Sequence, residues 1–279
     1  MLQVARLAPK LLAESSSLVQ QFVNGQLQHD GGFADRAGRS DLYYTVFGLE
    51  SLLALCKEVP VAEASRYLGT FGDGQGLDFV HLACLARCWA SITRDIPSAG
   101  AILRRLETFR RPDGGYDAGT VYSAFLALGA YQDLRGQMPE PEKLFRSILP
   151  LHAADGSYSN RPGASSGLTT TTAAAVMLHR HLGQPLDAVL GRWLLARAHP
   201  QGGFRALIDA PIPDLLSTAT ALHALSALHV PIDSIREDCL DFLDTLWVNH
   251  GAFHGSWADD AFDCEYTYYA LLALGHLAI

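Results

Sequence analysis

The sequence predicts an all-α fold, a closed α/α toroid of about six helical hairpins with six inner and six outer helices. Three observations carry this. A glycine-aromatic turn recurs at intervals of roughly 40 to 50 residues, the size of one helix-hairpin unit. Each turn is followed by an apolar helix rich in small residues and leucine. The last such helix ends in Ala270-Leu271-Leu272-Ala273-Leu274 with no polar cap. An open array would need caps at both ends, so docking of that helix on the N-terminal hairpin is expected.

The turns are Gly31-Gly32-Phe33, Gly72-Asp73-Gly74, Gly114-Gly115-Tyr116, Gly156-Ser157-Tyr158, Gly202-Gly203-Phe204 and Gly251-Ala252-Phe253. The apolar helices after them are expected at Asp41–Leu55, Asp78–Ile92, Gly119–Leu134, Leu168–Leu182, Asp214–Leu228 and Asp263–Leu277. Helices that are apolar all round sit inside a fold. The stretches Gln3–Gln28, Ala62–Gly69, Ser98–Arg110, Glu140–Leu149, Leu186–Ala198 and Ile232–Val248 are more amphipathic and supply the outer ring. No segment keeps the two-residue period of a strand. One domain over residues 1–279 is expected, with a cavity at the ends of the inner helices.

Composition narrows the function. A hydrophobic fraction of 49% with 18% charged residues supports a large core. The net charge of −8 and the lack of a basic run argue against nucleic acid. No stretch of about 20 apolar residues would span a bilayer, and the N-terminal segment lacks the pattern of a signal peptide. Five cysteines, mostly within apolar helical patterns, read as buried reduced thiols of a cytoplasmic protein. Cys84 and Cys88 share a helix face, but nothing beside them completes a metal site.

The segment Gly31-Gly32-Phe33-Ala34-Asp35-Arg36-Ala37-Gly38, continuing as Asp41-Leu42-Tyr43-Tyr44-Thr45, resembles a repeat of the β subunit of protein prenyltransferases. The related squalene and class II terpene cyclases share the toroid. The resemblance implies an isoprenyl diphosphate or another apolar small molecule in the cavity, and chemistry at the N-terminal ends of the inner helices. It also implies a helical-repeat partner subunit or a homo-oligomer. Helix N-termini suit anions independently of any family. Asp41, Asp78, Asp117, Asp214 and Asp263 fall at equivalent helix starts, where most would serve as caps.

Protein prenyltransferases hold zinc with Asp-x-Cys and a histidine of the next repeat. Carried over by the resemblance, Asp41 and His81 would be metal ligands, with Tyr43 where the thiolate belongs. Arg36, Arg39, Tyr43 and Tyr44 would bind the substrate and its diphosphate, and Arg205 occupies a related loop. The bland reading of His81 is a histidine hydrogen-bonded at a helix start.

Two further readings stand beside prenyl transfer. Class II terpene cyclases protonate an alkene from Asp-x-Asp-Asp, and Asp263-Cys264-Glu265-Tyr266 is a degenerate version with Glu265 at the donor position. Asp263, Glu265 and Tyr266 would then be catalytic. Trp257, Phe262, Tyr266, Tyr268 and Tyr269 add faces that attract carbocations, although aromatics also fill cores. The other reading is a non-catalytic toroid that binds lipid or protein. Asp117 facing Asp263 across the ring would suit a glycosidase. Thr169 to Thr172 would cap a helix or line the cavity, His179 and His181 fall on different faces, and Asp259-Asp260 fits a solvated loop.

Overall fold

Pro9 opens the first departure from the expected arrangement. It cannot donate to a preceding turn, and the single outer helix expected over Gln3–Gln28 is broken into α1 (Leu2–Ala5), α2 (Pro9–Leu12) and α3 (Ser16–Gly25). Ala13, at φ +47°, marks the second break. The computed structural model describes residues 1–279.

From there the hairpins follow one another. They comprise α4 (Leu42–Ala54), α5 (Val61–Gly69), α6 (Phe79–Ile92), α7 (Ala99–Leu106) and α8 (Val121–Asp133). Next come α9 (Pro141–Ile148), α10 (Thr169–His181) and α11 (Ala188–Leu195). The chain ends with α12 (Leu215–Ala227), α13 (Arg236–Thr245) and α14 (Cys264–Leu277). The even-numbered helices from α4 to α14 form the inner ring, each packed on the next, and α14 packs on both α12 and α4. That last contact closes the toroid. One continuous core of 68 buried apolar residues runs around it.

Local chemistry fixes the helix starts. Asp41, Asp78, Asp214 and Asp263 each accept a backbone N–H in the first turn that follows. These caps satisfy donors that a helix leaves unpaired. Asp117 does not belong with them. It sits in a left-handed turn at φ +47°, and Thr120 caps α8 instead. The outer helices bury one stripe, as at Ile102 and Leu106 of α7 or Leu144 and Ile148 of α9, one turn apart.

A recurrent brace ties three of the six turns to their inner helices. The N–H groups of Phe33, Tyr158 and Phe204 donate to Thr45 Oγ1, Thr172 Oγ1 and Thr218 Oγ1 at 2.9, 3.1 and 2.9 Å. In four of the turns the leading glycine lies on the backbone of a neighbouring outer helix. Gly31, at φ +101°, abuts Glu63 of α5, and Gly251, at φ +88°, abuts Leu18 and Val19 of α3. The last turn therefore docks on the first outer helix and closes the outer ring too. Two short antiparallel pairs, β1 (Phe33–Ala34) with β2 (Ser40–Asp41) and β3 (Trp247–Val248) with β4 (Ala252–Phe253), flank this seam. β3 and a short 3₁₀ turn occupy the ends of the expected Ile232–Val248 helix.

Because the inner helices are parallel, their N-termini gather at one end of the ring and their C-termini at the other. The turn α1 folds under the C-terminal end, where Val4 and Ala5 lie against Gly275. No helix is long and apolar enough to cross a membrane.

Candidate functional site

The ring encloses a lumen with three chambers. The upper one, 510 Å³, has an aromatic wall of Tyr43, Tyr122, Phe125 and Tyr269 facing a polar wall that includes Asn160, Thr170, Thr171 and Thr220. A smaller chamber of 110 Å³ lies behind Tyr43 against Phe47, Cys84, Arg87 and Tyr268. The third, 420 Å³, opens at the C-terminal end of the inner helices. Phe125 borders all three. Volumes of this size, with apolar walls and a few polar groups, are those of small-molecule sites.

Glu265 stands above the aromatic wall. It is the second residue of α14, one turn before Tyr269 on the same face. Tyr43 Oη donates to Glu265 Oε1 at 2.5 Å. Burial raises the Glu265 pKa, the hydrogen bond from Tyr43 opposes the rise, and the nearby Asp263 charge adds to it. The Tyr43 phenol is itself raised, by burial first and then by the charges around it.

Asp263 does different work. Its side chain is buried, with Oδ1 accepting from Tyr266 N at 2.8 Å and Oδ2 accepting from Arg36 Nε at 2.7 Å. The Arg36 guanidinium lies 4.8 Å from the centroid of the Tyr266 ring, and Tyr266 Oη donates to Asp259 Oδ2 at 2.8 Å. The Tyr266 ring also lies against Gly255. Arg36, Asp259, Asp263 and Tyr266 thus form one clasp that holds the start of α14, outside the lumen wall. Of the three residues expected at the cyclase-like position, Glu265 alone adjoins the lumen through its partner Tyr43.

The expected substrate-binding set is likewise divided. Tyr43 lines the upper chamber. Tyr44 packs edge-on against Tyr43 with centroids 5.6 Å apart but does not border a chamber. Arg39 is largely exposed and pairs with Asp35 at 3.2 Å. Arg36 is committed to Asp263.

The metal expectation rests on Asp41 and His81, which the fold does bring together, with His81 Nε2 3.3 Å from Asp41 Oδ2. On its other side His81 Nδ1 lies 2.9 Å from both Asp78 oxygens. Burial disfavours the imidazolium, but the hydrogen bonds and charges of Asp78 and Asp41 outweigh it and raise the His81 pKa. Both ring nitrogens are engaged as they would be in an ion pair. Asp41 Oδ1 meanwhile caps α4 through Tyr43 N and Tyr44 N. The thiolate position is Tyr43, and no group of three or more His, Cys, Asp or Glu side chains is placed to hold a metal. These donors do not fit a prenyltransferase-type zinc site. Cys84 borders the small chamber, but burial pushes its thiol up to about 12.

Several lumen groups escaped the sequence reading. Arg87 of α6 bridges the buried Glu50 of α4 at 2.9 Å and Asp133 of α8 at 3.0 Å. Burial raises Asp133 to about 6, against the pull of Arg87. His223 of α12 and His276 of α14 share a hydrogen bond of 3.0 Å. Charged or imidazole side chains within otherwise apolar inner helices were the available signal, since such groups persist in a core only when paired. In the threonine run, Thr169 Oγ1 donates to Arg205 O, Thr172 braces a turn, and Thr170 and Thr171 line the upper chamber.

Comparison with known proteins agrees with this architecture. The family model described as the prenyltransferase alpha-alpha toroid domain matches residues 8–69, 83–206 and 189–278. A drimenyl diphosphate synthase of Streptomyces showdoensis is 25% identical over 245 residues, covering 75% of this chain and 46% of the relative. The chain therefore spans about half the length of that curated relative. Among solved structures, the type II terpene cyclase MstE from Scytonema superposes with a TM-score of 0.64 at 13% identity, covering 96% of this chain and 97% of the other. Candida albicans protein geranylgeranyltransferase-I, complexed with GGPP, gives 0.51 at 15% identity, covering 95% and 76%. At these identities the structural likenesses show the fold alone.

Proposed function

As a chain that belongs to the prenyltransferase alpha-alpha toroid domain family, we propose, this protein binds a linear isoprenoid in its lumen and starts its cyclisation by protonating an alkene from Glu265. The observation that carries the reading is the Glu265 carboxyl, mostly buried and raised in pKa, held by Tyr43, which itself lines an aromatic-walled cavity of 510 Å³. A carboxylic acid that must donate a proton to carbon has to stay neutral at working pH, and a dry site achieves that. Tyr43 occupies one carboxyl oxygen, which leaves the other to carry the proton towards the lumen.

The step balances simply. The Glu265 O–H bond breaks as a C–H bond forms at one alkene carbon, leaving a carboxylate and a carbocation. The alkenes of the chain then close rings by attacking the cation. Loss of a proton from the cyclised cation, to water or back to Glu265, restores neutrality. The faces of Tyr43, Tyr122, Phe125 and Tyr269 offer the negative side of their quadrupoles to the positive charge. The drimenyl diphosphate synthase, judged by its name, makes an isoprenoid diphosphate, which supports a diphosphate-bearing substrate here. Prenyl transfer to a thiol, the other enzymatic reading, lacks a thiolate among the donors around Asp41 and His81.

The test is turnover of farnesyl and geranylgeranyl diphosphate, read by mass spectrometry after phosphatase treatment. The wild type should give cyclic alcohols, and Glu265→Gln should lose activity by roughly 10²- to 10⁴-fold, the range of a general acid. Turnover undiminished in the variant would refute the assignment. Binding of either substrate without any turnover would make the protein a lipid-binding toroid instead.

A further inference from the structure

The chamber at the opposite end of the lumen holds a cluster that the Glu265 chemistry does not use. Arg180 and His181 from the last turn of α10, His223 of α12 and His276 of α14 converge on its 420 Å³. Asp133 is the one carboxylate on its wall, and Arg87 already holds it at 3.0 Å. Arg180 and His181 make no ion pair or side-chain hydrogen bond of their own.

Cations in a last helical turn offset the partial negative charge of the helix end, and this accounts for Arg180 and His181 taken singly. It does not account for the imidazole pair. His276 is 4% exposed, and its ring meets His223 alone at 3.0 Å. Burial lowers His276 to about 4 and His223 to about 2, with the Met1 amino group, Arg180 and His181 adding to the effect on His223. The groups facing His223 are therefore Arg180 and His181 from α10, His276 from α14, the Met1 amino group ahead of α1, and Arg87 of α6, which bridges Asp133 of α8 and Glu50 of α4. Arg87 is shared between Asp133 and Glu50, so Arg180 is the guanidinium without a carboxylate partner, and an anion placed beside it would favour protonation of both rings. Each ring would then carry two N–H donors.

We infer that this chamber is a subsite for an anionic head group of the phosphate or diphosphate type, with Arg180 at its mouth and His223 and His276 at its back. Arginine presents a planar fork that suits such oxygens. Resting on the proposed cyclisation, the inference also orients the substrate. Glu265 and His276 lie on the same helix, about 16 Å apart along its axis at 1.5 Å per residue. An extended chain covers about 1.1 to 1.2 Å per bond, so at least about 14 bonds separate the reacting alkene from the head, and more where the chain folds to close rings. That calls for a C20 isoprenoid diphosphate rather than a C15 one, its head below and its tail at Glu265.

Inorganic pyrophosphate tests the subsite without calling on the cyclisation. Titration calorimetry on the full chain should detect binding that weakens at least tenfold in Arg180→Glu, a substitution at an exposed position. Binding should tighten as pH falls towards 6, and His276→Gln should remove most of that pH dependence. No pyrophosphate binding, or binding indifferent to Arg180→Glu, would overturn the subsite. Geranylgeranyl diphosphate should compete with pyrophosphate. Pyrophosphate binding that depends on Arg180 but is indifferent to geranylgeranyl diphosphate would assign the chamber to a free phosphate and overturn the orientation. A failure of Glu265 chemistry would leave every one of these readouts in place.

Discussion

The seam that closes the outer ring runs through Gly251, and replacing it measures what that seam contributes. Its φ of +88° lies in the left-handed region, which costs an L-residue about 1–2 kcal/mol. A Cβ at this position would also press into the backbone of α3, only 2.6 Å from Val19 N and nearer still to the Leu18 carbonyl. Neither group is the far end of a flexible side chain, so α3 or the turn must shift. Overpacking of this kind costs about 1–3 kcal/mol more. Gly251→Ala should therefore lose about 2–5 kcal/mol, a large share of the ~5–15 kcal/mol of a typical domain. Gly38 supplies the control, because its φ is +76° but nothing lies within 4 Å of its would-be Cβ. Gly38→Ala should lose only the backbone part, about 1–2 kcal/mol. Urea unfolding of the two variants, followed by circular dichroism, gives the comparison. Equal losses would mean that the seam between the last turn and α3 is not closely packed, and the closed outer ring would be refuted.

Three more outcomes follow. Arg36→Ala leaves the buried Asp263 carboxylate without its partner, and because Arg36 is itself nearly half exposed the cost should be about 1–3 kcal/mol in urea unfolding; no measurable loss would remove the clasp from the account. His276 is held neutral, so the unfolded chain takes up its proton first as pH falls below about 6.5, and wild-type stability should drop by about 1.4 kcal/mol per pH unit relative to His276→Gln down to about pH 4; parallel profiles would show that the imidazole is not buried neutral. The Tyr43 hydrogen bond holds the Glu265 pKa down, so Tyr43→Phe should raise it and carry the protonated, active form to higher pH; a turnover profile that moved towards acid would contradict the geometry.

Much of the ring was legible because inner helices announce themselves twice. Their apolar runs are unbroken, and an aspartate cap precedes four of them, so the expected and observed starts of α4, α6, α12 and α14 agree within a residue or two. Asp117 misled because a charge near a helix start looks the same whether it caps or merely sits in the turn before. Over Gln3–Gln28 the amphipathic pattern outweighed Pro9, although proline decides when the two conflict.

The site was legible as a set of residues and not as a set of contacts. Arg36 and Asp263 are 227 positions apart, and Tyr43 and Glu265 are 222 apart, so ring closure alone makes them neighbours. A loop arginine reads as a free anion donor until its buried partner is placed. Likewise nothing local distinguishes Glu265, which meets the lumen residue Tyr43, from Tyr266, turned onto Gly255. His223 and His276 lie on helices whose apolar character hid them, and only the fold brings the rings together.

The central claim is that Glu265 delivers a proton to carbon inside the lumen, and turnover in deuterated water tests it most directly. The Glu265 carboxyl exchanges with solvent between cycles, so the account predicts a cyclic product from farnesyl or geranylgeranyl diphosphate that carries a single deuterium at the carbon first protonated. Glu265→Gln should give none of it. A cyclic product free of deuterium, or one formed equally well by the variant, would contradict the account.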